Sequence, residues 1–230
     1  KHVGSAKTME TCCSYNMLKL TRALFTRQAA AELADYYERT LLNAILASQD
    51  PQSGMMTYFQ PTRPGYLKLF CTPIDSFWCC TGTGMENHSK YNDSIYFHAA
   101  DTLYVNLFIP STVAWRERGV SVEQTTGFPD EARTRLNVTA GHNVAFTLAI
   151  RQPGWCAGAT VMLNGKRISA PVTEGYLTLR RTWRAGDTVE VELPMTLRAV
   201  PLPNDPHQVA LVYGPVVLVG QLGDAGITPG

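Results

Sequence analysis

The sequence predicts a mixed α and β protein in which helices come first and a β-sandwich follows. Three observations carry that expectation. Apolar residues recur at three-and-four spacing up to residue 48, the spacing changes to two after Ile95, and turn signals separate the short runs that follow.

In the first helical stretch, Met17, Leu20 and Leu24 share one face with Phe25 beside them, and Arg27-Gln28 closes the segment. The second, Ala29 to Ser48, puts Leu33, Tyr36, Tyr37, Leu41, Leu42 and Ile45 on one side with no internal glycine or proline. Both stripes read as core packing in two antiparallel helices. From Gln49 to Cys80 the periodicity breaks at Asp50-Pro51, Pro61, Arg63-Pro64-Gly65 and Thr72-Pro73, which marks a long loop with one short strand at Tyr66 to Phe70. Its aromatic content argues against disorder, and loops of this length are commonly functional. A short helix is expected over Met85 to Asp93.

Period two then takes over. Leu103, Val105, Leu107 and Ile109 alternate, and strands are expected at Val120 to Gln124, Leu136 to Val138, Val144 to Ile150, Thr160 to Leu163, Tyr176 to Leu179 and Val189 to Leu193. Asn164-Gly165 is a strong hairpin dipeptide, and Ala185-Gly186-Asp187 is a further turn. The expected division is 1–97 and 98–230. Short strands at this spacing read as a β-sandwich.

The composition excludes several partners. The 230 residues carry 20 Lys+Arg against 19 Asp+Glu, a formal net charge of +1, with the basic residues scattered. Such a chain lacks the footprint of a nucleic-acid binder. No run approaches the roughly 18 apolar residues of a membrane span. Compartment cannot be read from a chain that opens on Lys1.

Of six cysteines, Cys12-Cys13 and Cys79-Cys80 form adjacent pairs, and Cys71 and Cys156 stand alone. A chain of this length has little need of disulfide staples, yet a disulfide framework and buried structural thiols both remain open readings. A third is a metal site. Glu10, Cys12, Cys79 and Cys80 offer one oxygen and three sulfurs, a donor set that suits four-coordinate zinc. Glu86 and His88 could orient those ligands from behind, or serve as caps or packing. Packing is the expected role of Cys13, Cys71 and Cys156.

Glu10-Thr-Cys12, Tyr15-Asn-Met-Leu-Lys-Leu20, Arg63-Pro-Gly65 and above all Ser76-Phe-Trp-Cys-Cys-Thr-Gly-Thr-Gly-Met-Glu-Asn-His-Ser-Lys-Tyr91 resemble the β-L-arabinofuranosidase group of glycoside hydrolases, families 127 and 146. The Phe-Trp-Cys-Cys and Met-Glu-Asn-His-Ser-Lys wording is closer to family 146. Ile150-Arg-Gln-Pro-Gly-Trp155, Val161-Met-Leu-Asn-Gly165 and Tyr213-Gly-Pro215 extend the resemblance over nearly the whole chain.

The resemblance implies the terminal helices of an (α/α)6 barrel followed by a β-sandwich. It also implies a retaining hydrolase that releases β-linked L-arabinofuranose from plant glycans or glycoproteins. Carried over residue by residue, Glu10, Cys12, Cys79 and Cys80 match its zinc ligands, Cys79 matches its nucleophile, and Tyr58 falls where a tyrosine lines the sugar pocket. The family's general acid is a glutamate upstream of Glu-Thr-Cys. Lys1 to Met9 contain no carboxylate side chain, so the chain reads as a C-terminal fragment expected to be inactive alone. Export from a bacterium fits the resemblance. A noncatalytic, zinc-braced carbohydrate-binding protein is the alternative reading of the same residues.

Overall fold

A computed structural model describes residues 9–62, 65–203, 205–221 and 223. Arg63 and Pro64 of the Arg-Pro-Gly motif, and His2 with the rest of the first eight residues, lie outside the described residues. The protein is mixed α and β, with strands predominating. It divides into two units: one gathers the described residues of Lys1–Ala23, Tyr36–Tyr91 and Leu197–Gly230, the other Leu24–Asp35 and Asn92–Thr196.

The first unit opens with β1 (Met9–Glu10), which runs directly into helix α1 (Thr11–Phe25). The face of α1 that is buried comprises Thr11, Ser14, Tyr15, Leu18, Thr21 and Phe25, while Met17, Leu20 and Leu24 are exposed. The expected stripe is thus rotated about the helix. Hydroxyl groups explain the difference: Thr21 Oγ1 donates to Met17 O at 2.7 Å and Thr11 Oγ1 to Thr57 O at 2.9 Å, so threonines enter the interior with partners in hand.

Helix α2 (Ala31–Thr40) is shorter than expected, because the chain continues as a π turn, Leu41–Ile45, and a 3₁₀ turn, Leu46–Ser48. Inside the π turn, Asn43 donates to Pro215 O at 2.9 Å and accepts from Val217 N at 2.8 Å. One side chain therefore satisfies two backbone groups of a distant segment. Strand β2 (Phe59–Gln60) pairs antiparallel with β1, setting Glu10 opposite Phe59 and Met9 opposite Gln60.

The strand expected over Tyr66 to Phe70 does not form. Only Phe70 makes a bridge, to Thr57, and Tyr66, Leu67 and Leu69 are exposed. Without a neighbouring strand to satisfy their backbone groups, the apolar residues there do not make a ladder. The third helix, α3 (Cys79–Glu86), starts six residues before the expected position and passes into a 3₁₀ turn at Asn87–Lys90. Cys79 and Cys80 consequently sit in its first turn and do not end the loop.

The second unit holds strands β3 (Tyr96–Ala99), β4 (Thr102–Val105), β5 (Ser111–Trp115), β6 (Val120–Thr126), β7 (Arg133–Ala140) and β8 (Val144–Arg151). It continues with β9 (Thr160–Leu163), β10 (Lys166–Ile168), β11 (Val172–Thr173), β12 (Tyr176–Trp183) and β13 (Thr188–Glu192). They form a six-stranded sheet in the order β10-β9-β13-β7-β6-β5 and a five-stranded one in the order β11-β12-β8-β4-β3. The pairings are antiparallel except β4 with β8, which is parallel. Asn164 and Gly165 both take positive φ in the β9–β10 turn, as the dipeptide predicts.

One core is shared by both sheets: Val122, Leu136 and Val189 come from the first, Phe146, Leu148 and Leu177 from the second. The Trp183 indole N–H, wholly buried, donates to Phe146 O at 3.0 Å. Ala149 and Tyr176, on the other face of the five-stranded sheet, pack with Phe25, Ala31 and Ala34. Arg151 is fully buried beside them; it pairs with Asp35, and its Nε donates to Asn106 O at 2.6 Å. In the first unit, β14 (Leu197–Leu202), β15 (Asp205–Tyr213) and β16 (Val216–Val217) make a separate antiparallel sheet.

Candidate metal centre

The short β1–β2 ladder places three groups at one point. It ends where α1 begins, and Thr11 locks the junction by donating its backbone N–H to Tyr58 O at 3.1 Å and its hydroxyl to Thr57 O. Glu10 thereby leaves the last strand position, Cys12 leaves the first turn of α1, and Tyr58 lies next to the partner strand. From the other side comes α3. Trp78 before it is extended at φ −90°, ψ 166°, and Cys79 and Cys80 follow as its first two residues.

These segments bring Glu10, Cys12, Cys79 and Cys80 together, with one donor atom of each within 4.8 Å of every other. Sγ of Cys12 lies 3.4 Å from a Glu10 carboxylate oxygen, Sγ of Cys79 lies 3.7 Å from that of Cys12, and the Cys79 and Cys80 sulfurs are 3.9 Å apart. A tetrahedron with metal–sulfur bonds of about 2.3 Å has edges of about 3.8 Å, so the sulfur spacings fit a four-coordinate thiolate site. All six cysteines are free thiols, which removes the disulfide reading.

The four residues differ in access. Cys80 is buried, Glu10 and Cys12 are half-buried, and Cys79 is exposed. Adjacent positions on a helix point about 100° apart, which turns Cys80 inward and Cys79 outward. The Tyr58 hydroxyl is 3.8 Å from Cys79 Sγ, and the Tyr58 ring packs edge-on against Trp78 at 5.6 Å between centroids. The exposed sulfur therefore has an aromatic wall.

Electrostatics separate the thiols further. The Tyr58 hydroxyl, followed by the Cys12 thiol, holds Cys79 below the usual thiol range. Tyr58 is pushed up in return to about 12, first by its contact with Cys79. Burial pushes Cys12 far up, with Cys80, Cys79 and Glu10 adding to the effect, and burial likewise raises Cys80. Three neighbouring sulfurs cannot all be ionised here unless a cation neutralises them.

Two family models match the chain: one, described as the GH127 catalytic domain of β-L-arabinofuranosidase, over residues 3–93, and one, described as its middle domain, over 102–195. The chain belongs to the GH127 β-L-arabinofuranosidase family. A curated relative, the non-reducing end β-L-arabinofuranosidase of Bifidobacterium longum subsp. longum, is 26% identical over 237 residues, covering 94% of this chain and 36% of its own. A GH127 β-L-arabinofuranosidase from Geobacillus stearothermophilus T6 superimposes with a TM-score of 0.78 at 28% identity, over 90% of this chain and 36% of that one. A second solved GH127 β-arabinofuranosidase gives 0.79 at 27%, with the same coverage. The chain thus spans about a third of the length of these relatives.

In this GH127 chain Cys71 and Cys156 are buried, and Cys71 Sγ accepts from Met56 N at 3.3 Å; Cys13, expected to pack, is exposed. Glu86 accepts a hydrogen bond from the Tyr15 hydroxyl, while His88 packs against Tyr91. Sequence reasoning passed over Trp78 and Tyr15; the Phe-Trp-Cys-Cys motif and the Tyr15 motif contained them, but only the fold shows what they touch. Among the described residues, no helix is long and apolar enough to cross a membrane.

Proposed function

We propose that this chain carries the nucleophilic part of a retaining β-L-arabinofuranosidase that releases β-linked L-arabinofuranose from plant glycans or glycoproteins. Glu10, Cys12, Cys79 and Cys80 hold zinc, Cys79 is the nucleophile, and Tyr58 lines the sugar pocket. The observation that carries this reading is the spacing of three sulfurs and one carboxylate around a single point, with only Cys79 exposed. Zinc bound there supplies the positive charge that keeps the neighbouring sulfurs deprotonated at neutral pH.

Cys79 Sγ attacks the anomeric carbon, forming a carbon–sulfur bond as the glycosidic carbon–oxygen bond breaks. The leaving oxygen takes a proton from a carboxylic acid other than Glu10, and the same group afterwards deprotonates the water that displaces the sulfur. Two displacements at one carbon restore its configuration. The Tyr58 hydroxyl, beside Sγ, stabilises negative charge on sulfur before attack and again on departure. The Tyr58 and Trp78 rings offer an apolar face to the small sugar.

Resemblance and the two matched ranges support reading residues 1–97 as the last helices of an (α/α)6 barrel and 98–230 as a β-sandwich domain. The Phe77-Trp-Cys-Cys80 wording supports a position near family 146. Labelling tests the central claim. In the full-length protein, an arabinofuranosyl analogue bearing an alkylating group at the anomeric position should attach to Cys79, and Cys79→Ala should abolish both label and turnover while retaining the fold. Turnover by Cys79→Ala at the parent rate overturns the mechanism. An inert Cys79 in a zinc-loaded protein leaves the centre as a structural brace.

A further inference from the structure

We infer that Tyr15 and Glu86 form a clamp that sets the spacing of the metal ligands, an inference that rests on the metal-centre reading above. The two helices that deliver the thiols meet at the cluster and again beyond it. The first meeting brings Cys12 to 3.7 Å from Cys79 and within 4.8 Å of Cys80. The second is the Tyr15 hydroxyl donating to the Glu86 carboxylate.

Sequence spacing makes the second contact a consequence of the first. Tyr15 lies three residues after Cys12 and Glu86 seven after Cys79, so each shares a helix face with the thiol of its own helix. One contact between two rods leaves them free to rotate about it. Two contacts fix their relative rotation, and the thiol separation with it.

The tyrosine is itself held in place. Its ring is buried, and the ammonium groups of Lys90 and Lys19 lie 5.4 and 5.6 Å from the ring centroid. Lys90 is anchored through its carbonyl, which accepts from the Tyr37 hydroxyl at 3.1 Å. Glu86, by contrast, is exposed, so its loss removes little packing. Tyr15 and Glu86 are positioning residues: neither touches the reacting atoms.

Zinc affinity, measured on the full-length protein by competition with a chromogenic chelator, tests the clamp, together with the absorption of the cobalt-substituted form. Tyr15→Phe and Glu86→Ala should each weaken zinc binding about tenfold, the effect typical of losing a group behind a ligand, and should shift the cobalt bands. Glu86→Gln should stay within about twofold of the parent, because its amide oxygen still accepts from the tyrosine. The double variant Tyr15→Phe/Glu86→Ala should be no weaker than either single one, since each breaks the same contact. Parent-like zinc affinity in Tyr15→Phe and Glu86→Ala overturns the clamp while leaving the metal centre intact. So do losses that simply add in the double variant, or Glu86→Gln as weak as Glu86→Ala. A parent protein that takes up neither zinc nor cobalt removes the metal-centre reading, and the clamp falls with it.

Discussion

Replacing Gly84 by alanine asks how closely α3 is wedged against the segment before the aromatic loop. Gly84 is buried, and a methyl group there would sit 2.4 Å from Met56 Cγ and 3.1 Å from Met56 Cβ. Carbon atoms settle at about 3.5–4.0 Å, so about 1 Å of room must be made. Overpacking of this kind costs about 1–3 kcal/mol. Against it stands a gain of about 1 kcal/mol, because alanine is the better helix former. The expected result is a net loss of up to about 2 kcal/mol. In a Met56→Ala background Cγ is gone, and the same Gly84→Ala change should become neutral or stabilising by up to about 1 kcal/mol. Urea denaturation of the four proteins measures this coupling directly. Because Gly84 lies five residues after Cys79 on the same helix, the strained single variant should also lose zinc to a chelator sooner than the double variant. A Gly84→Ala effect of the same sign and size in both backgrounds refutes the reasoning.

Three further outcomes follow from the described contacts. Cys80→Ala removes the buried sulfur of the cluster and should cut zinc retention by at least the 10–100-fold typical of weaker perturbations, as read by metal analysis after chelator challenge. Burial alone would raise the Asp187 carboxyl, but the Asn164 amide, the Arg184 backbone N–H and the Arg181 and Arg184 guanidinium groups outweigh it and hold Asp187 below the usual carboxylate range. Its contribution is therefore complete above the unfolded value of about 3.9 and is lost as pH falls through the lower folded value. Asp187→Asn should cost about 1–3 kcal/mol at pH 7 and flatten the acid limb of the stability profile; parallel profiles would contradict this. Arg151→Lys should cost about 3 kcal/mol in thermal or urea unfolding, because one ammonium group cannot replace the two nitrogens that serve Asp35 and Asn106; a change within about 0.5 kcal/mol would show the pair to be dispensable.

The candidate site was legible because its donors are chemically conspicuous. Two cysteine pairs and a Glu-Thr-Cys tripeptide stand out in any sequence, and the fold brings four of those side chains to one point. Strands on the shared core were legible for a different reason. Val120–Thr126 and Thr188–Glu192 alternate because one face of each meets apolar neighbours. Where neither condition holds, the sequence is mute. Strands β14 and β15 are exposed along most of their length, so no alternation marks them. The buried face of helix α1, though not the helix itself, hides behind its threonines, whose burial depends on partners such as Thr57 O that come from elsewhere in the chain. The π turn at Leu41–Ile45 depends in the same way on Asn43 reaching Pro215 and Val217.

The ligand spacing has a consequence for chain entropy. Cys12 and Cys79 are 67 residues apart in sequence yet 3.7 Å apart in space. An ion gripped by both ends closes that segment as a covalent staple would. For a loop of this length, the chain-entropy model gives about 4 kcal/mol taken from the unfolded ensemble. A metal bound at this centre would thus also hold the long aromatic loop against opening, and its removal should be felt first as local unfolding between residues 12 and 79.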